Sequence, residues 1–417
     1  MKRQSSLIFL LLLFSCDSKQ SVENLYDDSA VIQLLNLMDS IAARNPDFEL
    51  VATQLNSLPS PDREQRTITL RRRNENDPVL ENMIEALLEL EPYEIYFDRF
   101  KNVSRAHFRL AFNSLPYTAP PLPGGIAEAF YDLCIHREAF ERWYQTTRSG
   151  IDITRCVASA REWVPPGEYP VKKVYAIYDG NAGSFAEQGN AFFNLCSEVI
   201  TKTPPSKRFT HLHEVGIIQL EGVISHELNH VMAEPFLSSR SLTFSSWEER
   251  WKDRITRSIV SEGVAFQRNP LMGFQKTLWE DRATVSSLMK ELNRMMIALD
   301  NHVVPEDSVR LWYNRLYHEY AASLLGQYLE QTYPDSDITS MIKEHSIIRP
   351  DLVHALGWWM VSRITEGGAK PERASELLMN PSSLFTLYNE SLEPGMDDLA
   401  VDAQVVTMFS RRRNERY

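Results

Sequence analysis

Apolar residues recur at helical spacing along most of the chain. Between residues 28 and 46, Ala30, Ile32, Leu34, Leu35, Leu37, Met38 and Ile41 mark one broad apolar face, which predicts a helix ended by Asn45-Pro46. Residues 78–91 follow Asp77-Pro78, a cap and first-turn signal, and read as a second helix. Residues 126–144 continue the pattern after a Pro/Gly-rich loop at 116–125. The period changes near residue 165. Residues 171–178 (VKKVYAIY) alternate and are rich in β-branched and aromatic types, so they predict a strand. A turn at 179–183 leads to a second expected strand at 191–199, making a hairpin or small sheet whose exposed edge suits an extended peptide.

Helical spacing then returns. A helix is expected over 215–234, with Pro235 barring its continuation. Ser246 and Glu249 make a capping box for a helix reaching about Phe266. Further helices are expected at 282–299, 308–333 and 352–365. Residues 316–329 and 353–364 are apolar on nearly all sides and should be buried. The fold class that follows is α+β and predominantly α-helical, with a small β-sheet ahead of the helix at 215–234.

The extreme N-terminus breaks this picture. Lys2 and Arg3 precede an unbroken apolar run at 7–14, too short to span a membrane and suited to a secretory leader. Leu13-Phe14-Ser15-Cys16 resembles the bacterial lipoprotein leader, in which the cysteine is lipidated after cleavage. The expected organisation is a signal peptide at 1–15, a polar tether at 16–28 carrying a lipid anchor on Cys16, a helical region at 29–165 and a second domain at 166–417. That places the protein in the cell envelope, on a bacterial membrane. Cys134, Cys156 and Cys196 remain, an odd number, of which Cys134 and Cys156 are able to pair. The formal net charge of −12 makes the chain a poor binder of nucleic acid, and nothing in the sequence fixes its oligomeric state.

Chemistry is concentrated in residues 220–232, LEGVISHELNHVM. His226 and His230 are four apart, so on a helix both imidazoles point the same way and one metal ion can take both. Glu227 lies about 100° round from His226, near such an ion without having to bind it. Two neutral nitrogens and a carboxylate are what a metal-activated water needs. A third ligand is required, and the candidates are Glu262, Glu234, His211 and His213. Glu234 sits at the helix end before Pro235. Glu262 lies on another expected helix beside Gly263 and Ala265, small residues that would allow close approach to the motif helix, where Gly222 offers the same. No G-x-S-x-G is present to support serine catalysis.

His226-Glu227-x-x-His230 followed by Glu262-Gly263-x-Ala265 resembles the gluzincin class of zinc metallopeptidases. More narrowly, the order of parts resembles an uncharacterised bacterial family assigned as zinc-dependent peptidases. The later parts of that likeness are a helix with His354-Ala355-Leu356-Gly357 and a segment with Asn380-Pro381, Phe385 and Tyr388. The likeness spans about residues 170–390. It implies a gluzincin-like core in which His226, His230 and Glu262 hold Zn²⁺, Glu227 is the general base, and His354, standing where the family pattern has tyrosine, donates to the oxyanion. Tyr320 is the reserve for that role. The implied function is a membrane-anchored zinc peptidase acting on a peptide or protein substrate. The alternative is a non-catalytic surface lipoprotein that uses a metallopeptidase-like fold for binding, although metal binding alone does not require Glu227.

Overall fold

A computed structural model describes residues 25–44, 77–115, 126–169, 171–180, 183–196, 216–238, 244–267, 279–315 and 352–414. Cys16 and most of the tether, His211, His213, Tyr320 and the apolar stretch at 316–329 lie outside these residues. The described chain is mostly helical with one four-stranded sheet. It packs as two units: the described residues within Met1–Thr154 and Val171–Ile224, and those within Arg155–Pro170 and Ser225–Tyr417.

In the first unit, β1 (Tyr26–Asp27) leads into α1 (Ser29–Ala43). Its buried face is Ala30, Val31, Leu34, Leu35, Leu37, Met38 and Ile41, so Val31 takes the core position that the pattern assigns to Ile32. The helices α2 (Pro78–Leu88), α3 (Glu91–Arg99), α4 (Arg105–Ser114), α5 (Ile126–Ile135) and α6 (Arg137–Arg148) follow. Asp77 caps α2 as its sequence predicts, its carboxylate accepting from the Val79 and Leu80 amides at 2.9 and 3.3 Å. Tyr93, Tyr96, Phe108, Phe112 and Phe130 form a buried aromatic core. Tyr93 and Tyr178 keep their hydroxyls satisfied by donating to the carbonyls of Tyr178 and Ala129.

The sheet adds β2 (Lys173–Ile177), β3 (Phe185–Glu187) and β4 (Asn190–Asn194), in the order β1-β2-β4-β3. The two expected strands are neighbours, but they run parallel, with Tyr175 opposite Phe192. The hairpin is instead β3–β4, turned at Gln188 and Gly189, both at positive φ (53° and 80°). Two positive-φ residues give a turn whose twist suits flanking strands. β4 is buried along its whole length, which accounts for its unbroken apolar centre. It also stops short of residue 199. The Asn194 carboxamide accepts from the Cys196 amide at 3.1 Å, a local bond that turns the backbone out of the sheet. Arg99 donates to the Ala186 carbonyl at 3.1 Å and pairs with Glu187, so part of the β3 edge is already engaged.

The second unit takes most of α7 (Ile153–Arg161), then α8 (Ile217–Ser238), within which the first unit gives way to the second at residues 224 and 225. α8 does not stop at Pro235, as expected, but carries it inside. The proline removes one N–H near the helix end, where only one turn remains to be disturbed. That turn is held by Ser238 Oγ, which donates to the Glu234 carbonyl at 2.6 Å, and by Arg257, which donates to the Leu237 carbonyl. α9 (Trp247–Ala265) starts at Ser246, whose hydroxyl accepts from the Glu249 amide at 3.2 Å. The Glu249 carboxylate reaches back to the amide and hydroxyl of Ser245. Next come α10 (Arg282–Asp300), α11 (Glu306–Arg315) and α12 (Leu352–Ile364). α13 (Pro371–Met379), α14 (Leu384–Glu390) and α15 (Ala403–Asn414) complete the unit.

α9 and α12 pack in close contact. A Cβ built on Gly263 would stand 2.4 Å from the Gly357 carbonyl oxygen, and one on Gly357 would stand 2.6 Å from that of Ile259. The small residue beside Glu262 therefore serves approach to α12 rather than to the motif helix, as its spacing had suggested. α12 is buried on most of its surface, with Val353, Ala355, Leu356, Trp359, Met360, Val361 and Ile364 in the core. Tyr388 is also core: its hydroxyl accepts from Trp359 Nε1 at 3.0 Å and donates to the Leu399 carbonyl at 3.1 Å. Cys134, Cys156 and Cys196 are buried, and Cys134 and Cys156 are not bridged to each other. Among the described residues no helix is long and apolar enough to cross a membrane.

Candidate metal centre

α8 is buried on all sides from Gln219 to Asn229, and Leu228, Val231, Met232 and Ala233 pack into the core beside the motif. His226 and Glu227 are therefore also buried, at 6% and 5% exposure. Asn229, inside the motif, donates to the Ala160 carbonyl at 3.3 Å and ties α8 to α7. The i, i+4 spacing brings His226 Nε2 to 3.0 Å from His230 Nε2. Glu262 arrives from α9, its Oε2 lying 3.5 Å from His226 Nε2 and 3.2 Å from His230 Nε2.

These three atoms form a triangle with edges of 3.0, 3.2 and 3.5 Å. Tetrahedral zinc with ligand bonds near 2.05 Å separates its donor atoms by about 3.3 Å, so the triangle has the size a zinc ion requires. Glu262 Oε2 is buried and, among the described residues, accepts no well-directed hydrogen bond, despite the imidazoles around it. Two facing ring nitrogens and an orphaned carboxylate oxygen are the donor set a cation takes, and the residues fit the metal.

The charges agree. Burial pushes the His226 imidazole down to about 4, leaving it neutral at ordinary pH with a lone pair to share. Burial opposes ionisation of Glu262, but His354 and His230 outweigh it and hold the carboxyl well below its usual range. Burial also opposes the charged form of His230, yet the Glu262 and Glu227 carboxylates outweigh it and raise that imidazole. Metal binding would compete with protonation there.

Glu227 stands beside the triangle and outside it, with Oε1 3.9 Å from His226 Nε2. His354, from α12, brings Nε2 to 3.2 Å from Glu262 Oε2. Glu234, the competing carboxylate, is exposed and does not belong to the cluster. Two residues that the sequence reading passed over also touch the site. Ser261 Oγ is 3.0 Å from His230 Nδ1. The Phe266 ring packs edge-on against both His226 and His354, with centroids 4.3 and 5.4 Å apart. A signal for Phe266 existed, because it lies four residues after Glu262 and so shares its helix face. Nothing in the pattern marks Ser261.

Residues 84–332 match the model of a family described as "Putative zinc dependent peptidase (DUF5700)", well over half of the chain. The chain belongs to this family. The DUF5700 match includes His226, Glu227, His230 and Glu262 and ends before His354. It begins in α2, well upstream of the residue near 170 where the likeness in the sequence starts, so the DUF5700 region takes in helices of the N-terminal third. No curated protein and no solved structure matches the chain.

Proposed function

We propose that the protein is a gluzincin-type zinc peptidase, in which His226, His230 and Glu262 hold the metal and Glu227 is the general base. The observation that carries this reading is the triangle of donor atoms with a second carboxyl, that of buried Glu227, beside it but not in it. Bound there, zinc would supply a water of lowered pKa and polarise the carbonyl to be attacked. Glu227 accepts the proton of the attacking water and returns it to the leaving amine. His354 donates from its ring to the oxygen that gains charge, with Tyr320 as the other candidate. Membership of the zinc-peptidase family supports the reaction class. The spare carboxylate favours catalysis over simple metal binding, since three ligands already satisfy the ion.

The test is metal content together with hydrolysis of a peptide library, with and without chelator. Purified protein should hold one zinc per chain and lose cleavage on chelation. The E227Q variant should keep its zinc and lose about 10²–10⁴-fold in rate. Full activity in E227Q removes the general-base assignment, and zinc-free protein that still cleaves peptides removes the whole reading.

A further inference from the structure

An imidazole offers a lone pair to a metal on one nitrogen only when its proton sits on the other. His230 faces the cluster with Nε2, so in the metal-bound state its proton must sit on Nδ1. Ser261 Oγ stands 3.0 Å from that Nδ1. Ser261 immediately precedes Glu262 on α9, so a single turn of this helix delivers both a carboxylate oxygen and a hydroxyl to His230. The second imidazole has no such support: His226 Nδ1 is buried without a hydrogen-bond partner among the described residues.

We infer that Ser261 is a positioning residue of the metal site, accepting the Nδ1 proton of His230 and thereby fixing the tautomer and ring angle that turn Nε2 toward the ion. This rests on the zinc-site reading above. The ring of His230 has one torsion about its Cβ–Cγ bond that burial alone leaves broad, and the Ser261 bond removes that freedom. Outer hydrogen bonds of this kind typically change metal affinity 10- to 100-fold. Ser261 touches neither water nor substrate in this role, so its effect belongs to zinc affinity rather than to the chemical step.

The experiment compares S261V with S261T, which have the same shape and differ by a hydroxyl. Zinc affinity is read by competition with a chromogenic chelator, and folding by thermal melts of the metal-free proteins. S261V should bind zinc about 10- to 100-fold more weakly, S261T should bind like the native protein, and both should melt alike. Native affinity in S261V overturns the inference. H230A runs beside them: if it too binds zinc like the native protein, the zinc site itself is wrong. If S261V does not fold, S261A takes its place in the same chelator competition: weaker zinc binding supports the inference and native affinity removes it.

Discussion

At the scale of single residues, the proposed metal centre rests on Glu262 as its third ligand. Its Oε2 is within 3.5 Å of both Nε2 atoms, whereas Glu234 is exposed. E262A should therefore lose zinc on dialysis against a weak chelator while E234A retains it, as measured by atomic absorption. The reverse pattern would move the third ligand back onto α8. The same residue illustrates what spacing cannot report. Gly263 and Ala265 mark a helix that something approaches closely, and the something is Gly357 of α12. Sequence spacing gives closeness of packing without naming the partner, because a missing Cβ fits any neighbour.

At the scale of elements, α9 carries the most. It holds Ser261 and Glu262 at one end and touches α12 backbone to backbone. G263A would drive a Cβ to 2.4 Å from the Gly357 carbonyl, against main chain that has no rotamer with which to yield. It should lower stability by about 1–3 kcal/mol, read by denaturant titration, and loosen zinc as Glu262 shifts. A silent G263A would show that α9 and α12 are less closely held than these distances imply. The other end of α9 is held by charge. Glu248 accepts from His302 Nδ1 at 2.8 Å, and this bond, aided by Ser246, brings its carboxyl down to about 2 from an ordinary value of 4.5. A depressed carboxyl stabilises the fold above the ordinary value, and the benefit fades as pH falls toward 2. Native protein should exceed E248Q in stability at pH 6, and the gap should narrow between pH 4.5 and 3. A gap that widens in acid would contradict the assignment.

At the scale of the whole molecule, zinc should be a stabilising ligand, because the triangle exists only in the folded chain. Zinc at 100 times its dissociation constant should add about 2.7 kcal/mol, seen as a higher melting temperature that a chelator reverses. The E262A melt should not respond. The lipoprotein reading also belongs to this scale: C16S should abolish labelling by a radioactive fatty acid and release the protein from membranes. Labelling that survives C16S would remove the anchor.

The sequence by itself determined whatever depends on neighbours within one or two turns. That includes the pair His226 and His230 with Glu227 beside them, the caps at Asp77 and Ser246, and the buried character of α12, all set by backbone geometry that repeats every few residues. It misled where a local rule met tertiary support, as at Pro235, whose helix end is held by Arg257 and Ser238. The tertiary structure alone decided the rest. Parallel pairing of β2 with β4 depends on where the hairpin at Gln188 and Gly189 returns the chain. The convergence of Glu262, His354, Ser261 and Phe266 on the histidine pair depends on three helices meeting. Such contacts join residues far apart in the chain, and no period along the sequence encodes the distance between two side chains that only folding brings together.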